Sequence, residues 1–185
     1  MHFKFELADQ KESYCLVSSR LLSYKRVDII VEAFNQLGLP LIITGDGPER
    51  KQLEAKAMDN ITFKGYVSDA ERKSLMSKAR FVIVAALEDY GLVPVEANAS
   101  GTPVIAYGAG GVLDTQIPGV TGLFFEEQTA SSLESALSKA ITMDWDYHQI
   151  RQHALSKFTK KAFFGAIDRF LETTLNEISM TRENH

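Results

Sequence analysis

Six short apolar runs divide this chain, and the segments between them carry helical spacing. No other feature constrains the fold as strongly. The runs are SYCLVS (13–18), LPLIIT (39–44), NITFKG (60–65), RFVIVAA (80–86), TPVIAY (102–107) and TGLFF (121–125). Most lack strict polar–apolar alternation, which is the pattern of strands buried on both faces and therefore of a parallel sheet. Between the first two, Val27, Ile30, Val31, Phe34 and Leu37 fall on one stripe of a helix over 26–37. Pro48 suits the first position of a helix over 48–58. Ser68, with Glu71 three residues on, reads as a capping box before a helix over 69–79. A helix over 94–100 opens on Pro94 and stops at Gly101, and a short one covers 112–117. Three more patterns span 130–142, 145–157 and 159–178. This alternation predicts an α/β fold, a Rossmann-like, doubly wound parallel sheet of about six strands. At 185 residues the chain suits one domain with a sizeable core, over 1–185.

Composition narrows the function classes. The formal net charge of −4 gives no global field toward nucleic acid or an anionic membrane, though a local cationic pocket remains open. The one cysteine, Cys15, excludes an internal disulfide and reads as a small buried hydrophobe. No stretch approaches the roughly 20 apolar residues of a membrane-spanning helix. The opening MHFKFELADQ lacks the apolar core of a signal peptide. A reducing, cytoplasmic setting is expected. His2 and His185 are terminal, and His148 and His153 fall in late helices. None pairs with carboxylates at metal-ligand spacing, and no Asp-x-Asp stands at a strand end. Neither a metal nor a resident cofactor is expected.

In doubly wound sheets, ligands bind beyond the carboxyl ends of the strands, where the strand order reverses. The loops there hold Ser19-Arg20, Gly45-Asp46-Gly47, Gly65-Tyr66, Glu88 to Leu92 and Gly108 to Gly111. Arg20, just past the first strand, and Lys25, at the start of the next helix, are either a solvated surface pair or two cations converging on a diphosphate. Glu88 is either a solvated loop carboxylate or part of the ligand rim. With Pro94 at the first helical position, Glu96 falls third. There it either favours the helix dipole or accepts two hydrogen bonds from a vicinal diol such as a ribose. Gly91 beside that helix start lets free amides approach a phosphate. GDG at 45–47 lacks the third glycine of a dinucleotide fingerprint and follows the second strand, so it reads as a tight turn.

Together, SRLLSYKRVD, GDGPER, FKGYVS, EDYGLVPVE, ASGTPVIA, GAGG and PGVTGLFF occur in an order that resembles one family over about Ser18 to Ala140. The resemblance is to the carboxyl-terminal, nucleotide-sugar-binding half of group 1 (GT4-type) retaining glycosyltransferases of GT-B fold. It implies a UDP-, GDP- or ADP-sugar donor as co-substrate, with mannosyl and glucosyl transfer among the candidate reactions. It also implies an amino-terminal, acceptor-binding half that is absent from this chain, so the isolated domain should transfer poorly. Arg20 and Lys25 match the residues that hold the diphosphate. Gly65, Tyr66 and Val67 match the segment beside the base. Glu88 matches a glutamate by the donor sugar, and Glu96 one that grips the ribose. Tyr90, Gly91, Leu92 and Val93 match the segment whose amides reach the sugar and phosphates. Tyr90 departs mildly from a common Phe, and Asp114 stands where Glu is common. Relatives with lipid acceptors associate with membranes, usually through the other half. A GT-B epimerase or phosphorylase, and a non-catalytic nucleotide-sugar module, stay open as alternatives.

Overall fold

The structure, a computed structural model, describes residues 5–183. His2 and His185 lie outside them. Six strands form the sheet: β1 (Cys15–Ser18), β2 (Leu41–Thr44), β3 (Ile61–Gly65), β4 (Phe81–Val84), β5 (Val104–Tyr107) and β6 (Gly122–Phe125). Every pairing is parallel, in the order β3-β2-β1-β4-β5-β6. The order reverses between β1 and β4, so the crevice of a doubly wound sheet falls there. The helices are α1 (Val27–Leu37), α2 (Arg50–Lys56), α3 (Asp69–Lys78), α4 (Leu92–Ala99), α5 (Val112–Thr115), α6 (Ala130–Ile141), α7 (Tyr147–Lys157) and α8 (Lys160–Glu183). All six expected strands and all eight expected helices are present.

The near-continuous apolar character of the strands follows from burial on both faces. Successive side chains point to opposite sides. Cys15, Val17, Phe81, Ile83 and Ile105 pack with Ile30, Phe34, Leu133 and Leu137 of α1 and α6. Leu16, Val82, Val84, Val104 and Ala106 pack with Met76, Ala97, Val112 and Ala154 on the other face. Trp145 closes one end of the first cluster, its ring edge-on to Phe81 at 6.1 Å.

The expected capping box is half made. Ser68 accepts a hydrogen bond from the Glu71 N–H at 3.1 Å, which starts α3. The Glu71 carboxylate pairs instead with Lys64, at 3.0 Å. Two boundaries differ from the sequence reading. Lys25 does not open α1. It ends a 3-10 turn, Ser23–Lys25, and Arg26 at φ 52° redirects the chain into α1. Helix α4 begins at Leu92, with Gly91 as its N-cap at φ 75°, so Pro94 is its third residue and Glu96 its fifth. Proline is tolerated there because amides of the first turn have no intrahelical partner in any case. Asn98, fully buried, donates its amide to the Thr102 and Thr121 carbonyls, both at 3.1 Å, fixing α4 to the loops that lead into β5 and β6.

Candidate functional site

Two hollows meet at the carboxyl ends of β1 and β2 and share Ser18, Ser19 and Arg20. One, of about 440 Å³, runs between β1 and β4 and is lined by Arg20, Lys25, Glu88, Tyr90, Gly91, Leu92 and Val93. The other, of about 400 Å³, extends over β2 toward Tyr66, Val67 and Arg72. The shared residues make them one continuous crevice.

The turn after β1 places Arg20 at the junction of the two hollows. It is exposed and, among the described residues, makes no ion pair. Lys25 reaches across to Glu88, with Nζ 2.6 Å from Oε1. Both side chains are largely shielded, at 17% and 23% exposure. The Lys25 ammonium also lies 4.9 Å from the Tyr24 ring centroid. The first hollow thus holds one free guanidinium and one cation already balanced by a carboxylate. An incoming diphosphate would compete with Glu88 for Lys25.

The Glu88–Leu92 segment is held from behind by the glycine-rich turn after β5. The Glu88 carbonyl accepts from the Gly111 N–H at 2.7 Å. A Cβ on Gly111 would sit 2.2 Å from the Asp89 carbonyl oxygen, so only glycine permits this approach. The close fit presents the start of α4 to the crevice. Because Pro94 is the third helical residue, the amides available in the first turn are those of Leu92 and Val93, with Gly91 beside them. A helix starting on Pro94 would have offered as many, but from Val93, Val95 and Glu96.

Glu96 lines neither hollow. Its carboxylate is gripped by Arg72, with Nη1–Oε2 at 2.6 Å and Nη2–Oε1 at 3.3 Å, and Arg72 lines the second hollow beside Tyr66. This partner holds the Arg72 guanidinium more firmly charged than usual. Gly65 touches neither hollow. Its carbonyl accepts from the Gly45 N–H at 2.7 Å, and the two residues after it, Tyr66 and Val67, face the crevice. Tyr66 is 89% exposed. All the residues singled out in the sequence therefore lie along or next to one crevice. Arg72 was not among them. It falls between two motifs, and only the approach of α3 to α4 brings it to Glu96.

Among the described residues, no group of three or more His, Cys, Asp or Glu side chains is placed to hold a metal ion, and no helix is long and apolar enough to cross a membrane. The family model of group 1 glycosyl transferases matches residues 2–161. The chain belongs to the group 1 glycosyltransferases. This glycosyltransferase chain is 32% identical over 122 residues to an uncharacterised glycosyltransferase of Methanocaldococcus jannaschii, covering 63% of the chain and 35% of that protein. It is 35% identical over 108 residues to a GDP-mannose-dependent alpha-mannosyltransferase of Corynebacterium glutamicum, covering 58% of the chain and 26% of that enzyme. Among solved structures it resembles sucrose-phosphate synthase from Thermosynechococcus elongatus, with a TM-score of 0.76 at 26% identity over 94% of this chain and 51% of that one. It also shares the fold of Anabaena HepE in complex with UDP and glucose, with a TM-score of 0.72 at 23% identity over 88% and 48% of the two chains. The chain thus spans about half of these solved relatives and about a third or less of these curated ones.

Proposed function

We propose that this chain is the donor-binding half of a retaining hexosyltransferase that uses a nucleoside-diphosphate sugar. The observation that carries the reading is the continuity of the crevice at the β1–β4 reversal, with Arg20 at its middle and the start of α4 on one wall. In this reading the base lies against Tyr66 and Val67, near Gly65, and the ribose hydroxyls meet Glu96. The diphosphate lies among Arg20, Lys25 and the Leu92 and Val93 amides. The sugar sits by Glu88 and Tyr90, above Gly91. The relatives support the substrate class: one is named for GDP-mannose, and one was solved with UDP and glucose.

The chemical demand is to stabilise a departing nucleoside diphosphate while positive charge grows at the anomeric carbon. Fixed cations and helix amides aimed at the phosphates meet that demand, typically for several kcal/mol, because they need no reorganisation when the bond breaks. When phosphate draws Lys25 away, Glu88 is released toward the sugar, where it can hydrogen-bond hydroxyls or face the developing charge. The cations in this scheme are Arg20 and Lys25, and it invokes no metal or resident cofactor. A second half would bring the acceptor and exclude water from the donor. Along α8 the exposed Phe163, Phe164, Ile167, Phe170 and Leu171 share one helical face, which suits cover by such a half.

The test is thermal shift and calorimetry with UDP-, GDP- and ADP-sugars on the 185-residue chain. A donor at 100 times its dissociation constant should stabilise the fold by about 2.7 kcal/mol. No response to any of the three, or undiminished affinity after Arg20→Ala, would remove the reading.

A further inference from the structure

We propose that Arg72 is a positioning residue for donor binding, setting the Glu96 carboxylate for the vicinal hydroxyls of the ribose. The inference rests on the donor reading above and adds a residue that none of the sequence motifs contains.

Arg72 is the fourth residue of α3 and Glu96 the fifth of α4. The guanidinium meets both carboxylate oxygens, at 2.6 Å and 3.3 Å, and is braced from its other side by Asp69, with Nη2 3.0 Å from Oδ1. A two-point contact of this kind fixes the plane of the carboxylate, which a lysine ammonium cannot do. Each carboxylate oxygen carries two acceptor sites. With one on each oxygen taken by Arg72, one on each remains, matching two hydroxyls on neighbouring carbons. The pair is also well shielded, with Arg72 24% and Glu96 19% exposed. Exposed ion pairs add little, but a shielded carboxylate that loses its cation turns toward water. That turn spoils it as a double acceptor. Arg72 itself lines the hollow that Tyr66 and Val67 share and holds Glu96 just outside it.

An alternative role is a simple tie between α3 and α4. The two roles predict different behaviour toward the ribose hydroxyls. Calorimetry on the 185-residue chain would compare UDP and GDP with their 2′,3′-dideoxy counterparts. Arg72→Met should weaken the nucleoside diphosphate about tenfold or more, about 1.4 kcal/mol, and leave the dideoxy compound within about twofold. In a Glu96→Gln background the same change should add nothing. Arg72→Lys keeps the charge without the fork and should give an intermediate ribose preference. If Arg72→Met weakens both ligands equally, Arg72 is only a tie, and the donor reading stands without this inference. If Arg72→Met fails to fold, Arg72→Lys decides: an unchanged ribose preference overturns the proposal, and a reduced one supports it. If the wild-type chain binds neither diphosphate, the donor reading and this inference fail together.

Discussion

Gly45 offers a sharp test of how the fold holds Arg20. Its φ is 107°, and a Cβ there would sit 1.9 Å from the Ser19 carbonyl oxygen and 3.6 Å from the Arg20 nitrogen. Gly38 provides the control, at φ 64° with nothing within 4 Å of its Cβ position. Gly38→Ala therefore costs only backbone strain, about 1–2 kcal/mol, less the entropy that alanine removes from the unfolded chain, about 0.4–1 kcal/mol. Gly45→Ala incurs at least that strain and in addition pushes the Ser19–Arg20 peptide by about 1.5 Å to restore an ordinary contact. Forced displacement in a packed interior costs about 1–3 kcal/mol. The move also disturbs the Gly45 N–H to Gly65 and Ser19 N–H to Thr44 bonds, each worth about 1 kcal/mol. Urea denaturation should then show about 1 kcal/mol lost for Gly38→Ala and about 3–5 kcal/mol for Gly45→Ala. In melting temperature that is a few degrees against roughly ten, for a chain of this length. Nucleotide affinity should be unchanged in Gly38→Ala. It should fall about ten- to a hundredfold in Gly45→Ala, as one charge-assisted phosphate contact is lost. Equal stability losses in the two variants would refute the steric argument. Full affinity in a folded Gly45→Ala would show that Arg20 does not depend on this turn.

Three further expectations follow from the same geometry. In the context of a complete enzyme, Arg20→Ala or Lys25→Ala should each lower transfer at least tenfold, about 1.4 kcal/mol; unchanged kinetics for both would remove the diphosphate role. Asn98→Ala leaves the Thr102 carbonyl without this donor and the Thr121 carbonyl with the Val104 N–H, and should destabilise by about 1–3 kcal/mol in chemical denaturation, whereas a loss below about 0.5 kcal/mol would deny the amide its bridging role. Stability should also rise with pH between about 7 and 8.5. Burial pushes the Lys11 ammonium down to about 7 from 10.5. The unfolded chain therefore binds the extra proton in that window, and its penalty on folding fades as pH rises. Cys15 and Tyr14, both pushed up by burial from 9.0 and 10.0, act in the opposite sense only at higher pH. Three oxygen acceptors, on Ser77, Ser100 and Thr102, oppose the downward push on Lys11. Melting curves with and without Lys11→Met test the balance: a slope that survives the substitution belongs to another group.

Much of the fold was legible because its signals are local. A short apolar run such as Phe81 to Val84, rich in β-branched residues, reads as a strand with both faces covered, and a stripe such as Val27, Ile30, Val31 and Phe34 needs one covered helical side. The start of α4 lies two residues before the one its sequence signals. Pro94 is a strong local signal for a helix start, yet a glycine in the left-handed region can begin the helix two residues earlier without penalty. Lys25 was placed on a helix for a similar reason. The αL conformation of Arg26, which separates the 3-10 turn from α1, has no signature in the sequence.

The candidate site divides along the same line. Residue type and spacing alone marked Arg20, Lys25, Glu88 and Glu96, since each stands beside a strand end or helix start. Their pairing was decided in three dimensions. Glu88 meets Lys25 across 63 positions and Glu96 meets Arg72 across 24. Hydrophobic periodicity is written in neighbours three or four residues apart, so the sequence by itself determined the layers of this protein and the strand ends where a ligand would lie. An ion pair between distant segments has no period, and only the order in which the sheet assembles its strands selected these partners.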